Sequence, residues 1–149
     1  MRQSKFDLCG VAAKALKLQD ITLYESRLER GDYTGLEGVQ EEKKGTHFRK
    51  STVEIEGDDR DSLEILVVLG IRVVPPGIEE DVEDPQFSFL IEAEYQIEYL
   101  ITGDVSEDAI EAFAEFNAIH NAWPFWRQHV YDIVQKARLP KLDVPLYTG

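Results

Sequence analysis

From Gln86 to Thr102 apolar and polar residues alternate: Phe87, Phe89, Ile91, Ala93, Tyr95, Ile97, Tyr99 and Ile101 take one set of positions, and Glu92, Glu94 and Glu98 the other. A period of two sends the two sets to opposite faces of an extended chain and fits no helix. At ~3.3 Å per residue such a strand would measure roughly 50 Å if flat, so it must bend or be shared across an assembly. A second run alternates just as regularly. Leu63, Ile65, Val67, Leu69, Ile71 and Val73 all fall on odd positions, while Leu66, Val68 and Val74 leave the opposite face half apolar. Two such strands have to lie in a sheet whose apolar face another layer covers.

The other elements are read around this pair. Phe6, Val11, Leu16 and Leu18 with three alanines predict a short N-terminal helix, weakened by Gly10 and without a clear cap. Gln19 to Arg30 shifts to period two, with Ile21 and Leu23 on one face and Thr22, Tyr24, Ser26 and Leu28 on the other. Gly31 to Gly45, with four glycines and many charges, reads as a loop or ragged edge. His47 to Gly57 is a second strand, closed by the turn chemistry of Gly57-Asp58-Asp59. Pro75-Pro76-Gly77 stops the third strand, and Ile78 to Pro85 is an acidic connection. Ser106 is placed to cap a helix that carries Glu107 and Asp108 in its first turn and Ile110, Phe113, Phe116 and Ile119 on its apolar side. A last helix is expected from an N-cap at Asn121, with Pro124 in its first turn and Trp123, Trp126, Val130, Ile133 and Val134 as its stripe up to Leu139. A helix, four antiparallel strands and two helices give an α+β fold with the helices on one face of the sheet. The short connections favour a meander.

Composition narrows the function. With 149 residues, 43% hydrophobic and 30% charged, the chain fits one globular domain spanning 1–149. Its 29 acidic against 16 basic residues give a net charge of -13, which repels a phosphate backbone, so nucleic acid is a poor partner. The single cysteine, Cys9, allows no internal disulfide and no thiolate metal pair, in keeping with a reducing cytoplasm. Asp7, Lys14 and Lys17 interrupt the only N-terminal stretch that would have to serve as a signal peptide, and no apolar run approaches the ~18 residues a membrane span requires. His47, His120 and His129 have no ligand spacing, the Gly57-Asp58-Asp59-Arg60-Asp61 turn lacks the pattern of a calcium loop, and no nucleophile elbow or P-loop occurs. Neither an enzyme, a metal nor a cofactor is expected.

The C-terminal part carries a resemblance. Trp123-Pro124-Phe125-Trp126-Arg127 followed by Pro140, Leu142 and Pro145 resembles the end of the SecB family of protein-export chaperones, in which an aromatic-Pro-aromatic segment runs into Arg and a Pro-x-Leu tail follows the last helix. Pro145 falls one residue short of the family's spacing. The element order is similar too, and Leu18-Gln19-Asp20-Ile21-Thr22-Leu23-Tyr24-Glu25 resembles the first strand of that family, with Asp20 matching position for position. Where the family has Glu the chain has Tyr24, and the alternation places Glu25 on the opposite face.

The resemblance implies an ATP-independent holdase, a homotetramer built as a dimer of dimers, whose hydrophobic grooves bind unfolded preproteins. It also implies docking to the SecA motor through the acidic sheet face, here Asp20, Glu92 and Glu94, and divergent members serve an antitoxin instead. Read for that chemistry, Leu66, Val68, Leu90 and Leu100 on the second sheet face and Trp123, Phe125 and Trp126 on the last helix are the candidate client-binding residues. The four leucine and valine positions fit a subunit interface as well. Three readings follow: a general holdase, a dedicated adaptor for one partner such as an antitoxin, and a small-molecule or catalytic domain, for which no motif is found.

Overall fold

The computed structural model describes residues 4–77 and 86–147, so the acidic connection Ile78 to Pro85 lies outside the described residues. The element order is α1 Lys5–Ala15, β1 Leu16–Arg30, β2 Val39–Ile55, β3 Asp58–Val74, β4 Phe89–Ile101, α2 Glu107–Phe113, a π-helical turn Ala114–Ala118, and α3 Ile119–Ala137. The four strands form one antiparallel sheet, and the helices pack on one of its faces, as the α+β reading expects.

The strand order is β1-β4-β3-β2. β2, β3 and β4 are a meander, but β1 lies beside β4, so the segment after Arg30 crosses to the far edge in Greek-key fashion, and the expectation of a simple meander is corrected. The reason is that β3 and β4, the two strands with fully apolar rows, take the centre. Leu63, Ile65, Val67, Leu69 and Ile71 pack with Phe89, Ile91, Ala93, Tyr95, Ile97 and Tyr99, all buried beneath the helices. The charged strands are left at the edges, where charge guards against further pairing. This also explains why β2 begins at Val39 instead of after Gly45: Lys43, Lys44 and Gly45 pair with Gly70, Leu69 and Val68, and an edge strand tolerates such residues. The β2–β3 hairpin turns on Glu56 and Gly57, whose φ values of 53° and 84° are both positive, the geometry of a type I′ turn.

β1 holds a second correction. Its register slips between Leu18 and Asp20 and again between Leu23 and Glu25, leaving Gln19 and Tyr24 as extra residues. Each bulge turns the following residues over. Ser26 and Leu28 therefore pair with Ala93 and Ile91 on the helix-bearing face, beside Ile21 and Leu23, while Glu25 pairs with Glu94 on the same face as Asp20. The plain alternation read from the sequence places these three residues on the wrong side.

The helical layer also departs from expectation. Ser106 does cap α2, its Oγ accepting from the Ala109 N–H at 3.1 Å, and Ser4 caps α1 by accepting from the Asp7 N–H at 3.2 Å. No new helix starts at Asn121. The chain is helical from Glu107 to Ala137, and the Asn121 side chain donates to the Tyr99 hydroxyl at 2.8 Å instead of capping. Pro124 lies inside α3, removing the donor that would reach the His120 carbonyl, a group on the exposed side of the helix. The buried row Ala114, Ala118, Ala122, Trp126 and Val130 has a spacing of four, which over-rotates an α-helix by about 40° per step. The wide π turn takes up part of that drift, and it leaves Phe116 exposed instead of in the core. Arg138, at φ 53°, ends α3 with the paired bonds of a Schellman motif, Leu139 N–H to Val134 O at 3.0 Å and Arg138 N–H to Gln135 O at 3.4 Å.

Candidate functional site

The helix side of the molecule carries a groove of about 450 Å³ between α1, the π turn and the C-terminal segment, lined by Phe6, Cys9, Gly10, Ala112, Phe116, Asn117 and Tyr147, with Lys5 and Glu115 at its rim. Each wall has a local cause. α1 is held on α2 by the Cys9 thiol, which donates to the Ala112 carbonyl at 3.2 Å, and on the π turn by the exposed Lys5–Glu115 pair at 3.2 Å. A side chain at Gly10 would meet nothing within 4 Å, so the floor stays open there. The π turn pushes Phe116 outward, and Phe6 on the facing helix is 85% exposed.

The third wall is made by the tail. Leu142 and Val144 are buried, and the backbone between them and Pro145 is pinned by three side chains of α3: Trp123 Nε1 donates to Pro145 O at 2.7 Å, Arg127 Nε to Val144 O at 2.7 Å, and the Tyr131 hydroxyl to Val144 O at 3.2 Å. Gln40 of β2 adds a reciprocal pair with the Asp143 backbone. Tyr147 is thereby held with its ring 5.0 Å from that of Trp123 and tilted 35° to it, with Phe116 and His120 beside it and the Lys44 ammonium 5.1 Å over its face. The Trp-Pro-Phe-Trp-Arg segment and the Pro-x-Leu tail thus have a physical reason to occur together, since one clamps the other.

Electrostatics leave the groove apolar and unreactive. Burial, followed by the nearby Glu115 carboxylate, raises the Cys9 thiol pKa against the opposing pull of Lys5, so the thiolate is scarce. Burial also raises the Tyr147 phenol. Behind the lining, the Asn117 side-chain oxygen is buried and has no hydrogen-bond partner among the described residues.

The opposite face of the sheet is a charged lattice. Arg27 pairs with Glu92 at 3.1 Å and Lys43 with the same carboxylate at 3.7 Å, Arg72 with Glu41 at 2.8 Å, and Arg49 with Glu64 at 2.6 Å. The Arg49 hydrogen bond, assisted by one from Gln96, holds the Glu64 carboxyl below its ordinary pKa despite the opposing cost of burial. Across β1 and β4 carboxylates stand directly opposite one another, Glu25 by Glu94 and Asp20 by Glu98. Such like-charge pairs cost stability.

The expected site residues divide between these surfaces. Leu66, Val68, Leu90 and Leu100 are half-buried on the charged face, where Leu90 and Leu100 are ten residues apart on β4 and are not brought together. Asp20, Glu92 and Glu94 share that face, with Glu92 held in ion pairs. Trp123 and Trp126 are core residues, 5% and 2% exposed, because their rings lie between α3, the sheet and the tail, whereas Phe125 points to solvent. Phe6, Phe116, Asn117 and Tyr147 were not among the expected residues. A phenylalanine set four positions before a glycine in the first helix is the one sequence trace of the groove, and the π turn that opens it leaves none.

Comparison with solved structures brings out a match to the SecB-like chaperone Rv1957 of Mycobacterium tuberculosis, in a complex with a ChAD peptide from the Rv1956 HigA1 antitoxin. The match covers 96% of this chain and 98% of that one with a TM-score of 0.65. The fold is SecB-like. At 14% identity the likeness is one of architecture, and no family model and no curated protein matches the sequence.

Proposed function

We propose that this chain is an ATP-independent holdase whose groove between α1, the π turn and the tail takes apolar side chains of non-native polypeptides. The observation that carries this is an open apolar site that the described residues leave unfilled: Phe6, Phe116 and Tyr147 surround it, and Phe6 is exposed. A holdase needs that exposure together with a charge that keeps its complexes dispersed, and -13 supplies the charge. Binding is kinetic partitioning, in which capture of an extended segment competes with its aggregation and no covalent step occurs. Unfolded preproteins in the cytoplasm are the general client class, and the carboxylates Asp20, Glu25, Glu94 and Glu98, which form no ion pair among the described residues, are the surface on which a cationic partner such as the SecA motor would dock. Leu66, Val68, Leu90 and Leu100 serve on that face as further client contacts or as an interface within a homotetramer.

A second reading is favoured by one finding. The structural neighbour was solved with an antitoxin peptide, so a dedicated adaptor for a single antitoxin is the alternative to a general holdase.

The test is light scattering of a chemically unfolded client diluted with and without this protein in the absence of nucleotide. The wild type is expected to suppress aggregation, and Phe6→Ser, a change at an exposed position, is expected to lose most of that effect while keeping the native circular dichroism spectrum. Binding of one peptide without suppression would select the adaptor. No binding of any unfolded chain, or an undiminished effect of Phe6→Ser, would sink the assignment of the groove.

A further inference from the structure

After Pro140 the chain runs extended without joining the sheet, yet its side chains alternate as those of a strand do: Lys141, Asp143 and Pro145 are exposed, while Leu142 and Val144 are buried. From Pro140 to Tyr147 no backbone–backbone hydrogen bond forms among the described residues. Side chains serve this main chain instead. Gln40 of β2 donates to the Asp143 carbonyl at 2.9 Å and accepts from the Asp143 N–H at 3.1 Å. The Tyr131 hydroxyl accepts from the Val144 N–H at 3.3 Å and donates to the Val144 carbonyl at 3.2 Å, which Arg127 Nε also reaches at 2.7 Å. Trp123 Nε1 donates to the Pro145 carbonyl at 2.7 Å.

Every polar main-chain atom from Asp143 to Pro145 is thereby satisfied, since proline carries no N–H. None of these bonds goes to a side chain of the tail. The donors are fixed in advance: Trp123, Arg127 and Tyr131 stand four apart on one face of α3, and the Arg127 guanidinium lies 5.3 Å over the Tyr131 ring. Main-chain bonds for affinity and pockets for alternate side chains are the chemistry of a peptide site. A site of that kind does not distinguish the tail from another extended chain with apolar residues at the same spacing.

We propose that the channel between α3 and β2 is a binding site for extended polypeptide, in which segment 142–145 of the chain is the resident ligand. A client segment with two apolar side chains two residues apart presents the same groups and exchanges with it. The channel takes proline at the place of Pro145 and rejects it at those of Asp143 and Val144, whose N–H groups are both used. None of the clamping residues lines the groove between α1, the π turn and the tail, so the two sites stand or fall separately.

The experiment compares the wild-type full chain with the full chain carrying Leu142→Asp and Val144→Asp together, which expels the tail and leaves the clamp intact. Three fluorescein-labelled peptides are titrated by anisotropy: one with the sequence of residues 140–147, one of unrelated sequence with leucine and valine two residues apart, and the first with proline in place of its valine. The double variant is expected to bind the first two alike and the third not at all. The wild type is expected to bind all of them at least about tenfold more weakly, because a tethered tail competes at an effective concentration on the order of millimolar. A double variant that keeps the native circular dichroism spectrum and binds no peptide would reduce the tail to a part of the fold. Binding of the tail sequence alone would overturn the reading of main chain, and equal binding to the wild type and the variant would place the peptide elsewhere. Should the double variant not fold, the isotope-labelled wild type with unlabelled tail peptide at millimolar concentration decides. Exchange moves the Val144 methyl and Trp123 indole N–H resonances, and a tail that belongs only to the fold leaves them in place.

Discussion

At the scale of single residues, the charged sheet face is organised by a few long side chains whose charges are only partly paired. Glu64 receives a hydrogen bond from Arg49 and another from Gln96, and its pKa lies below the ordinary 4.5 chiefly because of Arg49. A carboxyl depressed in the folded state contributes stability above its unfolded pKa and loses it as pH falls through the folded value. The wild type is therefore expected to lose urea stability as the pH drops below about 4.5, and Glu64→Gln to lose less over the same range. Arg49 is open to solvent, so the difference is small and screened by salt. Unfolding midpoints of the two proteins, measured as a function of pH at low salt, test this. Parallel curves would mean that the pair carries no linkage.

At the scale of elements, the hairpin between β2 and β3 is where local backbone chemistry and sheet geometry meet. Both turn residues have positive φ, which glycine adopts freely and glutamate does not. Gly57→Ala is expected to lower stability by about 1 kcal/mol, and Glu56→Asn to raise it, since asparagine tolerates the left-handed conformation. Both are read as shifts of the urea midpoint at unchanged slope. Opposite signs would show that the turn is not held in this form in solution. The same hairpin illustrates what is legible in the sequence. Gly57-Asp58 marks the turn, and the odd-numbered apolar rows of β3 and β4 mark the core, because burial of one face writes a period of two directly into residue choice. The bulges at Gln19 and Tyr24, the early start of β2 and the π turn are not legible. Each depends on a neighbour supplied from elsewhere in the chain: β4 sets the register of β1, β3 supports the lysines of β2, and the sheet beneath the long helix selects the row that the π turn follows. The tail is legible as a motif but its use is not, and neither is the role of Phe6, since a groove is a property of three elements at once.

At the scale of the whole molecule, the bulges in β1 have a consequence for assembly. They turn Leu28 to the same side as Ile21 and Leu23, so the helix-bearing face of this edge strand carries an apolar row that the helices do not reach: Leu18, Leu23 and Leu28 are 45%, 47% and 37% exposed. If a second copy of the chain docks on this side of the sheet, this exposed row is what it would bury, apart from Leu66 and Val68 on the opposite face. If the homotetramer forms through this row, Leu23→Glu should shift the mass measured by size-exclusion chromatography with multi-angle light scattering toward the monomer, with helix and strand content retained. Leu66→Asp should leave the mass unchanged. The reverse result would assign the interface to the charged face and free the β1 row for clients, and a monomeric wild type would leave the row exposed at all times, as a holdase surface in its own right.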